Sequence, residues 1–132
     1  APAELLRRLH ARLRSTRGAA LTLLQADAGS GQLRTAGAGN VLGRVLSGVT
    51  DRALLPQHGT AGVAIRTPQE TTTPWPPHAL VVLASDGIES RWRAEALLPV
   101  LGRDPVLAAA LLLRDHCRGR DDACVAVLRR KD

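Results

Sequence analysis

Three carboxylates stand where the chain pattern changes abruptly. Asp86 follows the apolar run Ala79 to Ala84, inside the tripeptide Ser85-Asp86-Gly87. Asp121 and Asp122 immediately precede the alternating run Ala123 to Leu128. A continuous apolar run reads as a strand covered on both faces, and an alternating run as a strand with one wet face. If the two strands are antiparallel neighbours, the exit of one lies beside the entrance of the other. Adjacent strands are only about 4.8 Å apart, so the acidic groups would share one edge of a sheet. Clustered carboxylates repel unless a cation lies between them, and hard oxygen ligands suit Mg²⁺ or Mn²⁺. Each site taken alone also has a plain reading. Asp-Gly is a common turn dipeptide. An Asp pair before a strand is commonly a solvated turn, and Arg118 and Arg120 would neutralise it in surface ion pairs of little energetic value.

The elements that must position these residues are legible in outline. Leu5, Leu6, Leu9 and Leu13 recur at helical spacing, which predicts a helix over residues 4–14 that ends at Arg17-Gly18. The period then changes. Residues 19–27 and 32–36 read as strands joined by a Gly-rich turn, followed by short strands over 41–46 and 52–55, an antiparallel meander. Pro56 to Pro77 reads as loop, with breakers at His58 to Gly62 and at Thr71 to Pro77, and a short strand over 63–66 between them. After Ser85-Asp86-Gly87, helices are expected over 94–101 and 104–117. Asp104 is the N-cap of the second, with Pro105 at its first position. A last strand spans 123–128 and 129–132 form an exposed tail. Neither a repeat nor a flexible linker interrupts the order, so residues 1–132 read as one α+β domain with a mainly antiparallel sheet.

Composition narrows the function classes. Hydrophobic residues make up 45% of the 132 and charged residues 23%, a globular balance. Phe, Tyr and Met are absent and only Trp75 and Trp92 are aromatic, so the core is built from Leu, Val, Ala and Ile. Lys131 is the single Lys among 18 basic residues, as in a chain from a GC-rich genome, and the net charge is +6. That charge permits nucleic-acid contacts, but base stacking has almost no aromatic surface to use, and no nucleic-acid partner is expected. No apolar run reaches the roughly 18 residues of a membrane span, and no membrane partner is expected. The opening lacks the layout of a secretory signal, and Cys117 and Cys124 read as reduced thiols of a cytoplasmic protein, with Cys124 a small buried hydrophobe. His116 and Cys117 are adjacent and point about 100° apart on a helix, which argues against zinc.

Five stretches then occur in one order. They are Thr16-Arg17-Gly18-Ala19-Ala20, Ala36-Gly37-Ala38-Gly39-Asn40-Val41, the His58-Gly59-Thr60-Ala61-Gly62 loop, Leu83-Ala84-Ser85-Asp86-Gly87-Ile88, and Gly119 to Val127 with its Asp121-Asp122 pair. In this order they resemble the C-terminal part of the metal-dependent protein serine/threonine phosphatases of the type 2C superfamily. The nearest branch is the bacterial one of the sporulation stage II phosphatase and the small phosphatases that regulate sigma-factor modules. The resemblance implies an antiparallel β-sandwich flanked by helices, with two Mn²⁺ or Mg²⁺ ions at one edge of the complete domain. It implies Asp86 and Asp121 as metal ligands, Gly87 and Asp122 as groups supporting them, and Asn40, Thr60 and Gly62 lining the site. The reaction implied is attack of a metal-activated water on a phosphoserine or phosphothreonine of a regulatory protein, without a covalent enzyme intermediate. The family's N-terminal strands and their further ligands have no counterpart in these residues. The resemblance therefore implies an incomplete domain, with self-association through an uncovered sheet edge. The alternative is a phosphatase-like signalling or binding module without catalysis.

Overall fold

Pro2 has its φ fixed near the helical value and lacks the N–H that a first helical turn leaves unpaired, so the opening helix starts there. In the computed structural model, which describes residues 1–131, α1 runs Pro2–Arg12 and buries Leu6 completely, two residues earlier than the Leu spacing alone predicts. The chain forms two compact units. One comprises Ala1–Val41 with Leu55–Trp75, the other Leu42–Leu54 with the chain from Pro76 onward.

In the first unit, β1 (Leu21–Asp27) and β2 (Gln32–Ala38) form the expected hairpin, in register from Leu21↔Ala38 to Asp27↔Gln32. Asp27 holds the turn. Its carboxylate accepts the Gly29 N–H at 2.9 Å, the Ser30 N–H at 3.2 Å and the Ser30 hydroxyl at 2.8 Å. Leu6 of α1 packs with Ala36 and Ala61, joined by Leu13, Leu21, Leu23 and Ile65. Three strands come from the segment expected to be mostly loop. β5 (Gly59–Thr60) and β6 (Ala64–Ile65) form a two-stranded ribbon. β7 (Thr71–Pro74) pairs antiparallel with β2, from Gln32↔Pro74 to Thr35↔Thr71. Three consecutive β-branched Thr residues favour extended backbone, and β7 is an edge strand, where Pro is tolerated. Trp75, directly after it, is 4% exposed.

In the second unit the strand order is β4-β3-β8-β9, antiparallel throughout, with β3 (Leu42–Leu46), β4 (Asp51–Leu54), β8 (Leu80–Ala84) and β9 (Val125–Arg129). The simple meander is thus corrected: β3 leaves β2 and joins a different sheet. β8 is internal to that sheet, which explains its uninterrupted apolar sequence; Leu80, Val81, Val82 and Ala84 are buried. Leu46, Leu80, Val82, Ile88, Trp92, Leu97, Ala108 and Leu112 form one core cluster. Trp92 is 6% exposed.

α2 (Pro105–His116) begins as its sequence dictates, with the Asp104 carboxylate accepting the Val106 N–H at 3.0 Å. The preceding helical segment, Ala94–Val100, is 3₁₀ rather than α and contains Pro99. Proline supplies no N–H and clashes with the preceding turn of an α-helix, so the short segment stays in the tighter form. On β9 the alternation assigns Ala123, Val125 and Val127 to the core, which leaves Cys124, Ala126 and Leu128 exposed. Cys124 is therefore not the buried hydrophobe its apolar surroundings suggested. Arg129 is also no part of an exposed tail: it ends β9, and its guanidinium donates to the Leu101 carbonyl at 2.9 Å. The tail's last residue, Asp132, lies outside the described residues.

Candidate active site

The exit of β8 meets the entrance of β9 one step beyond the sheet register. Ala84 pairs with Val125, and the next pair continues the ladder through a side chain. The Ser85 N–H donates to the Cys124 carbonyl at 3.0 Å, and the Cys124 N–H donates to the Ser85 hydroxyl oxygen at 2.9 Å. The Ile88 N–H then donates to the Ser85 carbonyl at 3.1 Å, which closes a tight turn with Asp86 and Gly87 at its middle.

The same turn is gripped from the α2 side. The Arg118 N–H donates to the Gly87 carbonyl at 2.9 Å, and the Glu89 N–H donates to the His116 carbonyl at 2.9 Å. Ile88 and Cys117 form an isolated antiparallel bridge between these two bonds. Residues 85–89 are thus clamped between the chain leaving α2 and the chain entering β9. The segment that links those two stretches carries Asp121 and Asp122.

Gly87 fixes how closely the two acidic corners approach. It is buried, and a Cβ built on it would lie 2.2 Å from the Asp122 carbonyl oxygen and 2.9 Å from the Ala123 α-carbon. Both obstacles are backbone, so only glycine allows this contact. Asp86, Asp121 and Asp122 are all exposed. One oxygen of Asp121 accepts the Asp122 N–H at 2.8 Å, which ties that carboxylate to its own loop. Neither Arg118 nor Arg120 forms an ion pair with Asp121 or Asp122 among the described residues. The plain alternative of a turn neutralised by its own arginines does not hold among these residues.

The structure brings Asp86, Gly87, Asp121 and Asp122 to one corner of the second unit. Asn40, Thr60 and Gly62 belong to the first unit. There the Gly62 N–H donates to His10 Nδ1 at 2.9 Å, and Thr60 pairs with Ala64 in the ribbon. Ser85 has a positioning role that its residue type does not announce. Its only signal was its place, one residue after the apolar run, where a hydroxyl can replace a backbone acceptor.

The donor chemistry of the corner fits a hard divalent ion in kind but not in number. Carboxylate oxygens suit Mg²⁺ and Mn²⁺. Among the described residues, however, no group of three or more His, Cys, Asp or Glu side chains is placed to hold a metal ion. Among these residues, no helix is long and apolar enough to cross a membrane.

Comparison with known proteins agrees with this architecture. A family model for Stage II sporulation protein E (SpoIIE) matches residues 1–131. A structure from work on the bacterial stressosome as a modular system adapted to control secondary messenger signalling superposes with a TM-score of 0.82. It is 25% identical, over 97% of this chain and 67% of that one. RsbX in complex with magnesium superposes with a TM-score of 0.79 at 16% identity, over 98% of this chain and 64% of that one. The phosphatase domain of the cell fate determinant SpoIIE from Bacillus subtilis gives 0.64 at 16% identity, over 100% and 68%. The chain therefore spans about two thirds of the length of each of these structures. No curated protein matches the sequence.

Proposed function

The chain belongs to the Stage II sporulation protein E family, and from that premise we propose that it forms part of a Mn²⁺- or Mg²⁺-dependent protein serine/threonine phosphatase domain, with Asp86 and Asp121 among the metal ligands. The observation that supports this reading best is the backbone contact of Gly87 with Asp122, which joins the two acidic corners. Two such corners supply oxygens of the right hardness from two independent loops. When bound, a divalent ion in such a site lowers the pKa of water and neutralises charge on phosphoryl oxygens.

The chain's own residues do the positioning. The Ser85 hydroxyl and the Cys124 backbone fix where the β8 turn begins. Gly87 lets that turn touch the opposite corner. The Asp122 amide orients the Asp121 carboxylate. The remaining donors would come from outside residues 1–132, which we read as one incomplete domain. The substrate class is a phosphoserine or phosphothreonine on a regulatory protein of the cytoplasm. Self-association would use the outer strands of the second unit's sheet, β4 and β9, whose backbone is paired on one side only.

A second reading is a signalling module of the same fold that has lost catalysis. The absence of a group of three metal-ligating side chains among the described residues favours it. Hydrolysis of p-nitrophenyl phosphate by the full-length protein with Mn²⁺ separates the two. Asp86→Ala and Asp121→Ala should each cut the rate at least a hundredfold while the far-ultraviolet circular dichroism is retained. Equal rates in both variants and the parent would remove the metal role. No saturable Mn²⁺ binding to the parent by calorimetry would favour the inactive module.

A further inference from the structure

The first unit contains a cleft of about 590 Å³ lined by Gln57, His58, Arg66, Thr67 and Gln69. We propose that this cleft binds a phosphate monoester carried on a polypeptide segment, with Arg66 and His58 as its principal contacts. The proposal rests on the cleft itself and does not require Asp86 or Asp121 to hold a metal.

The β5–β6 ribbon builds one wall. Gly59 pairs with Ile65 and Thr60 with Ala64, so His58 and Arg66 are the residues that flank the ribbon's open end. Gly59 has φ +123°, and a Cβ there would lie 2.4 Å from the Ala64 carbonyl oxygen, so only glycine closes the ribbon this tightly.

Gln57 braces the other parts of the cleft against one another. Its side-chain N–H donates to the Arg66 carbonyl at 3.0 Å, and its amide oxygen accepts the Gln69 N–H at 3.3 Å. Its backbone is pinned as well: the Gln57 N–H donates to the Gly37 carbonyl at 2.9 Å, and its carbonyl accepts the Gly39 N–H at 3.0 Å. The Gln69 side chain folds back onto the Thr67 carbonyl at 3.4 Å. The backbone of the cleft is set before any ligand arrives, which reduces that part of the ordering cost of binding.

The charge distribution selects the ligand. Arg7, Arg34, Arg44 and Arg114 each pair with a carboxylate. Among the described residues, neither Arg66 nor His58 makes an ion pair, and no Asp or Glu lines the cleft. A guanidinium fork matches two phosphate oxygens at once, and an imidazole N–H and the Thr67 hydroxyl add donors. The volume lies within the range of roughly 300–1,000 Å³ typical of ligand pockets, far more than a lone anion fills. The lining side chains carry polar heads on carbon stems, so the wall offers apolar as well as polar surface. A chain segment bearing the phosphate matches both the size and this mixed lining.

The test uses the full-length protein in EDTA, so that divalent ions contribute nothing. The probe is a fluorescein-labelled peptide with a central phosphoserine flanked by Gly and Ala, read by fluorescence anisotropy. Inorganic phosphate and the same peptide with unmodified Ser are the competitors. The phosphopeptide should bind, inorganic phosphate should displace it weakly, and the Ser peptide should bind at least tenfold less tightly. Arg66→Gln and His58→Asn should each weaken the phosphopeptide about ten- to a hundredfold, the range for a charged hydrogen bond. Arg66→Lys, which keeps the charge without the fork, should weaken it less and guards against misfolding as the cause. Equal binding of the two peptides, or unchanged affinity in Arg66→Gln, would overturn the proposal. Inorganic phosphate binding as tightly as the phosphopeptide would overturn the polypeptide part. Arg114→Gln, at an exposed arginine outside the cleft, should keep full affinity; if it weakens binding as much as Arg66→Gln does, general surface charge and not the cleft holds the peptide.

Discussion

Gly87 and Asp122 touch through backbone alone, at a distance that leaves no room for even one methyl group between them. Gly87→Ala must push the β8 turn away from the Asp121-Asp122 corner. The expected cost is about 1–3 kcal/mol, as for other overpacked sites. Gly48→Ala is the matched control, since a Cβ at Gly48 meets nothing within 4 Å. Thermal melts of the two variants check the pair: the first should fall by several degrees and the second should not. If the protein is a phosphatase as proposed, hydrolysis should fall further than stability in Gly87→Ala.

Arg44 is held on three sides. Its guanidinium donates to both oxygens of Asp51, at 3.1 and 2.7 Å, and to the Trp92 carbonyl, while lying 3.9 Å from the centre of the Trp92 ring. Its side chain is only 18% exposed, so solvent screens these contacts incompletely. Arg44→Ala is expected to destabilise by about 1–3 kcal/mol. Arg44→Lys should recover only part of that, because an ammonium lacks the planar fork. Urea denaturation of Arg44→Ala, Asp51→Ala and the double variant measures the coupling. Strictly additive losses would show that the pair contributes no interaction energy of its own.

The N-cap of α2 gives a smaller and cleaner effect. Asp104→Ala removes the acceptor of the Val106 N–H and should cost about 1 kcal/mol, whereas Asp104→Asn keeps an acceptor and should cost only a few tenths. Denaturant midpoints with unchanged slopes would register both. Equal losses in the two variants would mean that the charge, not the hydrogen bond, matters at this helix end.

Asp27 makes the hairpin turn sensitive to acid. The Ser30 hydroxyl, followed by the Ser30 and Gly29 amides and the charge of Arg34, holds its carboxyl below the ordinary value of 3.8. A carboxyl with a depressed folded-state pKa stabilises the fold at pH values above 3.8, and that contribution is lost as pH falls through the folded value. The stability difference between the parent and Asp27→Asn should therefore be constant near neutrality and shrink in strong acid. Carboxyl chemical shifts of Asp27 titrating at or above 3.8 would contradict the turn's hydrogen bonding.

Sequence legibility followed the range of the interaction. The acidic corner was visible because both of its strands announce themselves locally: Leu80 to Ala84 by an unbroken apolar run, Val125 to Leu128 by alternation. The α2 start was equally local, in Asp104-Pro105. What failed was partner choice. Thr71-Thr72-Thr73-Pro74 looks like loop until β2 is placed beside it, and nothing near Leu42 says that β3 will abandon β2 for β8. Alternation along β9 fixed a period of two but not which face was dry, so Cys124 was assigned to the wrong side. The Ser85 latch was invisible for the same reason, since its partner, Cys124, lies 39 residues away. The basic cleft escaped because Gln57, Arg66, Thr67 and Gln69 are unremarkable in sequence and meet His58 only through the ribbon's fold.

A chain with no Phe or Tyr buries one tryptophan in each of its units, Trp75 in the first and Trp92 in the second. Intrinsic fluorescence is consequently a two-channel gauge. Replacing Trp75 leaves an emission signal that follows the second unit alone, and replacing Trp92 leaves one that follows the first. Overlaid melting curves from the two single-tryptophan proteins would reveal whether the halves come apart in concert or one before the other.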